Sequence, residues 1–348
     1  MTKQLIKGNI ALCEGAITAG LHAYFGYPIT PQNEVPAYLS RRMVELGRVF
    51  IQGESEIASA NMVMGAAVTG KRAMTSSSSP GISLKQEAIS YMAGMELPAL
   101  IVNVQRGGPG LGNISGAQSD YFQAVKGGGH GDYRLIVLAP NSSQEMYEMA
   151  YDAFDLAEQY RIPVMILADG VIGQMMEPVE FNRKDRKDFP EKEWALTGCK
   201  GREPRSVKSL LMAEGALEQH NIDLQNKYAK IRKNETKFEE YMTDDAKIII
   251  VAYGISSRIA KSAVKLARKE GIKAGLLRPK TLWPFPSDAI AKLAKPDIKF
   301  LSVELSHGQM VEDVRLAVNG KSSVEFFGKA GGGVVNEMEI LEKIKKLV

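Results

Sequence analysis

The sequence predicts an α/β fold that is divided into two unequal domains. Short apolar runs alternate with helical stretches in the first half of the chain, and the same pattern resumes near the C-terminus after a charged interval. Apolar runs of this kind are typical of parallel strands that are buried between helices. The strands predicted in the first domain are Val49–Ile51, Ala73–Thr75, Ala99–Val104, Leu135–Leu138 and Val164–Leu167.

Helices are predicted between these strands. From Glu56 to Thr69, apolar side chains recur at helical spacing and should share one buried face. The residues of that face are Ile57, Ala60, Val63, Met64 and Ala67. A second helix is predicted from Ser143 to Tyr160. Alternating strands and helices indicate a βαβ domain, which we assign to residues 1–182.

The interval 183–245 has a different composition. Between Arg183 and Arg205, 13 of 23 residues are charged, and a polar helical stretch follows. We interpret this interval as a linker or an exposed arm. Residues 246–348 are assigned to a second, smaller α/β domain. Its predicted elements are the strands Lys247–Ala252, Gly275–Leu277 and Phe300–Val303 and the helix Ser256–Lys269.

Composition narrows the class of protein. The 44 Lys and Arg against 40 Asp and Glu leave a net charge of +4, too small to indicate nucleic-acid binding. No apolar run reaches the roughly 18 residues that a membrane span requires, and no signal peptide is recognisable, so we expect a cytoplasmic protein. The two cysteines, Cys13 and Cys199, are too few to hold an iron–sulfur cubane or a zinc ribbon.

Two glycine-containing stretches resemble nucleotide-binding motifs and are rejected. Gly65–Lys71 approaches a P-loop, but Arg72 replaces the Ser or Thr that binds magnesium, and the stretch ends a predicted helix. Gly108–Asn113 lacks the third glycine of a dinucleotide-binding fingerprint.

The loop Gly26–Pro31 is the first candidate site. Thr30 is predicted to be a helix N-cap, with Pro31 at the first helical position. A helix N-terminus with a free hydroxyl could also bind a carboxylate. Capping alone and carboxylate binding both remain open on this pattern.

Two further candidates follow predicted strands. Glu54 and Glu56 open the helix after Val49–Ile51, where they could cap the helix or form one strong hydrogen bond to a cofactor nitrogen. Arg106 follows Ala99–Val104, and it could bind a carboxylate with its planar fork or pair with a nearby surface acid. The segment Arg278–Pro286 is predicted to serve packing or an interface.

Six segments together resemble the alpha subunit of the 2-oxoacid:ferredoxin oxidoreductases, the thiamine-diphosphate enzymes related to pyruvate:ferredoxin oxidoreductase. The resemblance extends over nearly the whole chain and rests on the order and spacing of these segments. They are Gly26–Pro31, Gly53–Ser59, Ser78–Gly81, Val104–Pro109, Pro163–Gly170 and Leu277–Pro286.

The resemblance implies roles for individual residues. Glu56 would hydrogen-bond N1′ of the cofactor's aminopyrimidine, with Glu54 as the nearby alternative, and Pro28 and Ile29 would contact the same cofactor. Thr30 and Arg106 would contact the carboxylate and keto oxygen of the substrate. Residues 1–182 would form the pyrimidine-binding domain, and residues 246–348 a domain like the C-terminal domain of transketolase. No residue of this chain would bind a metal.

The resemblance also implies an activity and partners. The implied reaction would be oxidative decarboxylation of a 2-oxoacid to an acyl-CoA and carbon dioxide, with electrons passed to ferredoxin. Magnesium, the cofactor diphosphate and the iron–sulfur clusters would lie on a beta subunit, a gamma subunit and a ferredoxin-like delta subunit, and the chain alone would be inactive. The stretch Gly108–Asp132 is most similar to the branched-chain, 2-oxoisovalerate members. The alternatives are a 2-oxoglutarate enzyme and a non-catalytic scaffold.

Overall fold

A computed structural model describes residues 3–348 of the chain. Its first half contains eight strands and seven helices. They are β1 (Gln4–Lys7), α1 (Gly8–Thr18), β2 (Ala23–Gly26), α2 (Glu34–Glu45), β3 (Val49–Gln52), α3 (Glu56–Val68), β4 (Ala73–Ser77), α4 (Ser79–Gly94), β5 (Ala99–Gln105), α5 (Tyr121–Val125), β6 (Ile136–Leu138), α6 (Ser143–Tyr160), β7 (Pro163–Asp169), α7 (Gly170–Gln174) and β8 (Met176–Val179).

The second half contains the remaining elements. They are α8 (Ala216–Glu235), β9 (Phe238–Tyr241), β10 (Ile248–Val251), α9 (Gly254–Lys269), β11 (Ala274–Pro279), β12 (Thr281–Trp283), α10 (Ser287–Leu293), β13 (Lys299–Glu304), α11 (Met310–Val318), β14 (Ser323–Gly328) and α12 (Glu337–Lys345). Within residues 3–348, no helix is both long enough and apolar enough to cross a membrane.

A seven-stranded sheet forms the core of the first half, in the order β12-β6-β7-β5-β4-β2-β3. All neighbouring strands are parallel except β12, which runs antiparallel to β6. The five strands predicted here therefore all form and are parallel. The prediction that all five are buried is wrong for β3, because Val49 and Ile51 lie on an edge strand and are 47% and 43% exposed.

Strand β2 was not predicted, although every residue of it is buried. Four residues that include alanine and glycine give too short an apolar run to distinguish a strand from a loop. Helix α6 begins and ends as predicted, at Ser143 and Tyr160.

The buried face of helix α3 differs from the predicted face mainly at the start of the helix. Ala60, Val63 and Ala67 are buried as expected, but Ile57 is 47% exposed. The buried stripe begins instead with the carboxylic acid Glu56. A core-facing position in the first turn of this helix is therefore occupied by an ionisable side chain.

The second sheet has five strands in the order β14-β13-β10-β11-β9. Strand β9, which lies inside the interval 183–245, pairs antiparallel with β11. Strand β12 belongs to the second half of the chain but pairs with β6 of the first sheet. Each sheet thus receives one edge strand that the simple division of the chain would give to another unit.

The charged interval packs along the first sheet's helices. Its backbone bonds to the ends of α1 and α3, through Arg186 N to Thr18 O and Leu196 N to Val68 O. Arg72 is 6% exposed and pairs there with Asp155 and Glu158. Arg72, which stands where a P-loop would have Ser or Thr, therefore has a structural role in these ion pairs.

Asp169 joins the two halves of the molecule. It ends β7, and its two carboxyl oxygens accept hydrogen bonds from Ile172 N at 2.9 Å and from Ile255 N, at the start of α9, at 2.8 Å. Burial raises the pKa of Asp169 from 3.8 to about 6, while these N–H donors oppose the shift. The folded protein therefore binds a proton on this carboxyl more tightly than the unfolded chain does.

Stability should consequently depend on pH through Asp169. Because its folded pKa is raised, the contribution is complete below about pH 4 and is lost as the pH rises through 6. The loss is about 3 kcal/mol at neutral pH, at roughly 1.4 kcal/mol per pKa unit. Urea unfolding of the wild type and of Asp169→Asn between pH 4.5 and 7.5 should show this extra decline in the wild type alone. If the free energies of unfolding of the wild type and the variant change in parallel with pH, the prediction is wrong. The control is Asp288→Asn, which removes an exposed carboxylate.

Candidate active site

The carboxyl ends of β2, β3, β4 and β5 bring four loops to one edge of the parallel sheet. This edge is where α/β proteins bind their ligands. The ends of β2 and β3 lie side by side, since Gly53 N donates to the carbonyl of Gly26, the last residue of β2, at 2.9 Å. The candidate residues Pro28, Ile29, Thr30, Glu56 and Arg106 all lie on these loops or at the first residue of the helix that follows.

Thr30 is not a helix N-cap, contrary to the prediction. Helix α2 begins at Glu34, and Pro31 follows a cis peptide bond in the turn before it. The Pro31 carbonyl accepts hydrogen bonds from the side chains of Asn9 at 3.0 Å and Gln174 at 2.6 Å. These side chains, which are distant in the sequence, hold the turn in place, and helix α2 begins C-terminal to the turn.

Glu56 opens α3 but does not cap it. The cap is Ser55, whose Oγ accepts from Ala58 N at 3.2 Å. Glu56 is only 8% exposed, yet among residues 3–348 no donor forms a hydrogen bond with its carboxylate. Glu54, the alternative, is exposed. The structure thus leaves one nearly buried carboxylate available at a positive helix end.

Gly81 allows this carboxylate to approach α4. A Cβ atom at Gly81 would lie 2.1 Å from Ser77 Oγ and 2.8 Å from Glu56 Oε1. Such separations are far below van der Waals contact, so any side chain here would displace Glu56. The glycine therefore shapes the space in which the Glu56 carboxylate sits.

For Gly81→Ala, any activity that depends on the Glu56 carboxylate should fall by more than tenfold, because Ser77 Oγ and the carboxylate must move to accommodate the methyl group. Gly65→Ala in α3 is the matched control, since nothing lies within 4 Å of the position that its Cβ would take. That substitution should keep full activity and stabilise the helix by about 0.5–1 kcal/mol. Equal activity of the two variants would refute the steric argument.

Arg106 lies on the other side of the first turn of α4. It is 6% exposed, and it donates from Nη1 to Thr30 O at 2.9 Å and from Nη2 to Leu111 O at 2.8 Å. Its Nε is buried and has no hydrogen-bond partner in the part of the chain that the structure describes. No carboxylate among the described residues pairs with it, so the alternative of a surface ion pair does not hold. Three of the five guanidinium N–H donors thus form no hydrogen bond with any residue from 3 to 348.

A buried polar network supports Arg106 and was missed in the sequence. Asp120 accepts from Ser79 Oγ at 2.6 Å and from Asn103 Nδ2 at 2.9 Å, and Ser79 Oγ also accepts from Arg106 N at 3.0 Å. Burial raises the pKa of Asp120. The signal was present, because Asn103 and Gln105 alternate with apolar residues inside a fully buried strand.

The structure therefore brings Thr30 and Arg106 into contact and places Glu56 across the first turn of α4. Pro28 and Ile29 directly precede Thr30, with Pro28 exposed and Ile29 half-buried. Among the described residues, no group of three or more His, Cys, Asp or Glu side chains is arranged to bind a metal ion.

Comparison with known proteins identifies the family. Residues 14–243 match the model described as pyruvate flavodoxin/ferredoxin oxidoreductase, thiamine diphosphate-binding, and residues 246–340 match pyruvate:ferredoxin oxidoreductase core domain II. The chain belongs to the 2-oxoacid:ferredoxin oxidoreductase family. The resemblance predicted from the sequence is thereby confirmed, as are the α/β fold class and the type of enzyme.

Relatives cover the whole chain. A ketoisovalerate oxidoreductase subunit VorB from Methanothermobacter marburgensis is 53% identical over 100% of this chain and 98% of its own length. A 2-oxoglutarate synthase subunit KorA from Methanothermobacter thermautotrophicus is 37% identical, with 100% of both chains covered. This 2-oxoacid:ferredoxin oxidoreductase subunit is thus similar to members that are named for different substrates.

Two solved structures are similar in fold. The 2-oxoglutarate:ferredoxin oxidoreductase from Magnetococcus marinus, with 2-oxoglutarate, coenzyme A and succinyl-CoA bound, matches with a TM-score of 0.85 and 27% identity. The match covers 99% of this chain and 65% of that one. A split-gene transketolase, described as an inactive beta4 tetramer, matches with a TM-score of 0.60 and 13% identity over 98% of this chain and 97% of its own, which shows the fold alone.

Proposed function

We propose that this chain is the subunit of a 2-oxoisovalerate:ferredoxin oxidoreductase that binds the pyrimidine end of thiamine diphosphate. The observation that carries the proposal is the Glu56 carboxylate, which is 8% exposed and accepts no hydrogen bond from the described residues. A buried acceptor of this kind fits the protonated nitrogen of an aminopyrimidine ring. Because residue 81 is glycine, no Cβ atom from α4 enters the space beside this carboxylate.

Glu56 would act as the hydrogen-bond acceptor for N1′ of the pyrimidine. Thiamine diphosphate, when bound, supplies the carbon nucleophile for decarboxylation of the 2-oxoacid. Proton movement on the pyrimidine depends on a fixed acceptor, and a carboxylate at low exposure forms a stronger hydrogen bond than one in water. We assign Pro28 and Ile29 to contacts with the same ring system, because they follow β2 at the edge of the sheet where β3, the paired neighbour of β2, leads to Glu56.

Arg106 and Thr30 would bind the substrate. The free N–H donors of Arg106 suit the carboxylate and keto oxygen of a 2-oxoacid, and a buried guanidinium binds such anions strongly. Thr30 Oγ1 accepts from Asn33 Nδ2 at 3.1 Å and keeps its own proton to donate. Because the backbone carbonyl of Thr30 is bonded to Arg106, the two groups are oriented together.

The loop after β5 favours a branched-chain substrate. Residues 107–116 contain no lysine or arginine, whereas a distal carboxylate like that of 2-oxoglutarate would require a second cation. The loop instead presents Leu111 and Ile114, which are 79% and 64% exposed. Asn113 Nδ2 fixes it to Gly331 O at 2.7 Å. The greater identity with the ketoisovalerate subunit than with the 2-oxoglutarate subunits supports the same choice.

Other subunits must complete the enzyme. Cys13 is buried and Cys199 is exposed, far apart in the sequence, so we assign the iron–sulfur clusters to gamma and ferredoxin-like delta subunits. Magnesium and the cofactor diphosphate are assigned to a beta subunit. We retain residues 1–182 as the pyrimidine-binding domain, 183–245 as the arm and 246–348 as the transketolase-like C-terminal domain. Two free thiols are consistent with a reducing compartment, the cytoplasm.

A substrate panel tests the proposal. The tagged chain is isolated with its partner subunits, and reduction of a low-potential dye is measured with 2-oxoisovalerate, pyruvate and 2-oxoglutarate in the presence of coenzyme A. We expect the highest kcat/KM with 2-oxoisovalerate and acyl-CoA formation equal to the carbon dioxide released. A preference for 2-oxoglutarate would overturn the substrate assignment, and no activity in a cluster-containing complex would favour a scaffold.

A further inference from the structure

Lys85 occupies a position where its helix should carry an apolar residue. It shares the buried face of α4 with Ile82, Ile89 and Met92, and none of these four side chains has exposed surface. Burying an ammonium group costs several kcal/mol unless it is compensated. Packing alone would be served better by methionine or leucine, so the lysine breaks the pattern of its own helix. Such departures are expected at functional sites.

The Lys85 ammonium contacts the residue that begins α3. Its Nζ donates to the backbone carbonyl of Glu56 at 3.2 Å and to Thr75 Oγ1, on β4, at 2.9 Å. One side chain therefore ties the first turn of α3 to α4 and to the central sheet. The carbonyl that it holds belongs to the same residue whose carboxylate lies beside Gly81.

The charges of Lys85 and Glu56 are coupled. Burial lowers the pKa of Lys85 to about 8, and the negative charge of Glu56 limits that lowering. Lys85 packs against α3, β4 and β5, and Glu56 is the only titratable side chain on these three elements. The other titratable groups nearby are Asp169, at the end of β7, and Glu87 and Tyr91, on the exposed face of α4. The Glu56 carboxylate thus carries the negative charge that opposes the effect of burial on Lys85.

We propose that Lys85 is a positioning residue for Glu56, holding its backbone and compensating its charge so that the carboxylate stays beside Gly81, where it is available to the pyrimidine. Lys85 is fully buried and acts only through Glu56. This inference rests on the proposed function, because it concerns the same carboxylate. It adds a residue from a different helix to the machinery for pyrimidine binding.

The experiment compares Lys85→Met with Gln86→Met in the assembled complex. Gln86 is the adjacent residue of α4, is 6% exposed and makes no hydrogen bond with Glu56, so its replacement controls for loss of a buried polar group. Two quantities are measured for each variant: the Kd of thiamine diphosphate by calorimetry with the cofactor-free complex, and kcat from pH 6 to 9.5. Glu56→Gln is measured alongside.

For Lys85→Met we expect a Kd about tenfold higher, a kcat about tenfold lower, and loss of the alkaline decline in kcat near pH 8 that the wild type should show. Gln86→Met should match the wild type in Kd, in kcat and in the pH dependence of kcat. Wild-type Kd and pH profile in Lys85→Met would overturn the inference while leaving the proposed function intact. Wild-type turnover in Glu56→Gln would overturn the proposed function itself.

A variant that does not assemble is replaced by Lys85→Arg, which keeps the charge. Because arginine does not lose its proton below pH 12, that variant should retain cofactor binding and show no decline in kcat near pH 8. If Lys85→Arg declines near pH 8 as the wild type does, or if the wild type shows no decline there, the titrating group is not Lys85 and the inference fails.

Discussion

Glu56→Gln is expected to lower kcat of the assembled enzyme by about 10²- to 10³-fold, the usual cost of removing one essential hydrogen-bonding group from an active site. Glutamine has nearly the same volume as glutamate, and the Ser55 cap on α3 remains, so the fold should be unaffected. What is lost is the negative acceptor that is 8% exposed at the start of the helix.

The measurement is dye reduction by the complete complex with saturating 2-oxoacid and coenzyme A. Glu54→Gln is the matched control, because Glu54 lies two residues away and is exposed. It should retain wild-type turnover. If Glu54→Gln loses turnover and Glu56→Gln keeps it, Glu54 is the pyrimidine ligand. If both variants are fully active, neither carboxylate contacts the cofactor.

Replacement of Arg106 should have the second large effect. Removing one partner of a buried, hydrogen-bonded charge pair costs about 2–5 kcal/mol, so Arg106→Ala should lower kcat/KM for the 2-oxoacid by at least about thirtyfold. Part of this loss arises because Leu111 O and Thr30 O each lose their donor. Arg106→Lys keeps the charge without the planar fork and should recover only part of the loss.

The KM for coenzyme A provides the internal control for Arg106→Ala. Arg106 is assigned to the 2-oxoacid, so the KM for coenzyme A should change little while the KM for the 2-oxoacid rises. A parallel rise of both would mean that the substitution disorders the loop 107–116 as a whole. Unchanged kinetics for both substrates would exclude Arg106 from the substrate site.

The elements that the sequence predicts well are those with long periodic patterns. Helix α6 gives 18 residues of clear helical spacing, and the predicted strand Ala99–Val104 is a run of six residues of which only Asn103 is polar. Strand β2 has four residues and no pattern to recognise. The Thr30–Pro31 turn was misread because Ser-, Thr- and Pro-containing stretches start helices from local preference, whereas here Asn9 and Gln174 fix the turn from distant parts of the chain.

The candidate site shows the same division between local and long-range information. Glu56 and Arg106 stand beside strand ends and can be found by reading along the chain. Lys85 and Asp120 are important because of their contacts with Glu56 and Ser79, which are distant in the sequence. Patterns in a single sequence do not contain those contacts. A charged residue on the apolar stripe of a helix is the one local sign that Lys85 offered.

The pairing of β12 with the first sheet has a consequence for how the molecule unfolds. Because β12 comes from the second half of the chain yet pairs with β6, the two halves cannot separate without leaving backbone groups of β6 and β12 unpaired. Asp169 and Gln118 reinforce this link through Ile255 N and Tyr253 O. Calorimetry should therefore record one cooperative melting transition instead of two, and a chain cut between residues 179 and 246 should yield fragments that stay associated and melt together.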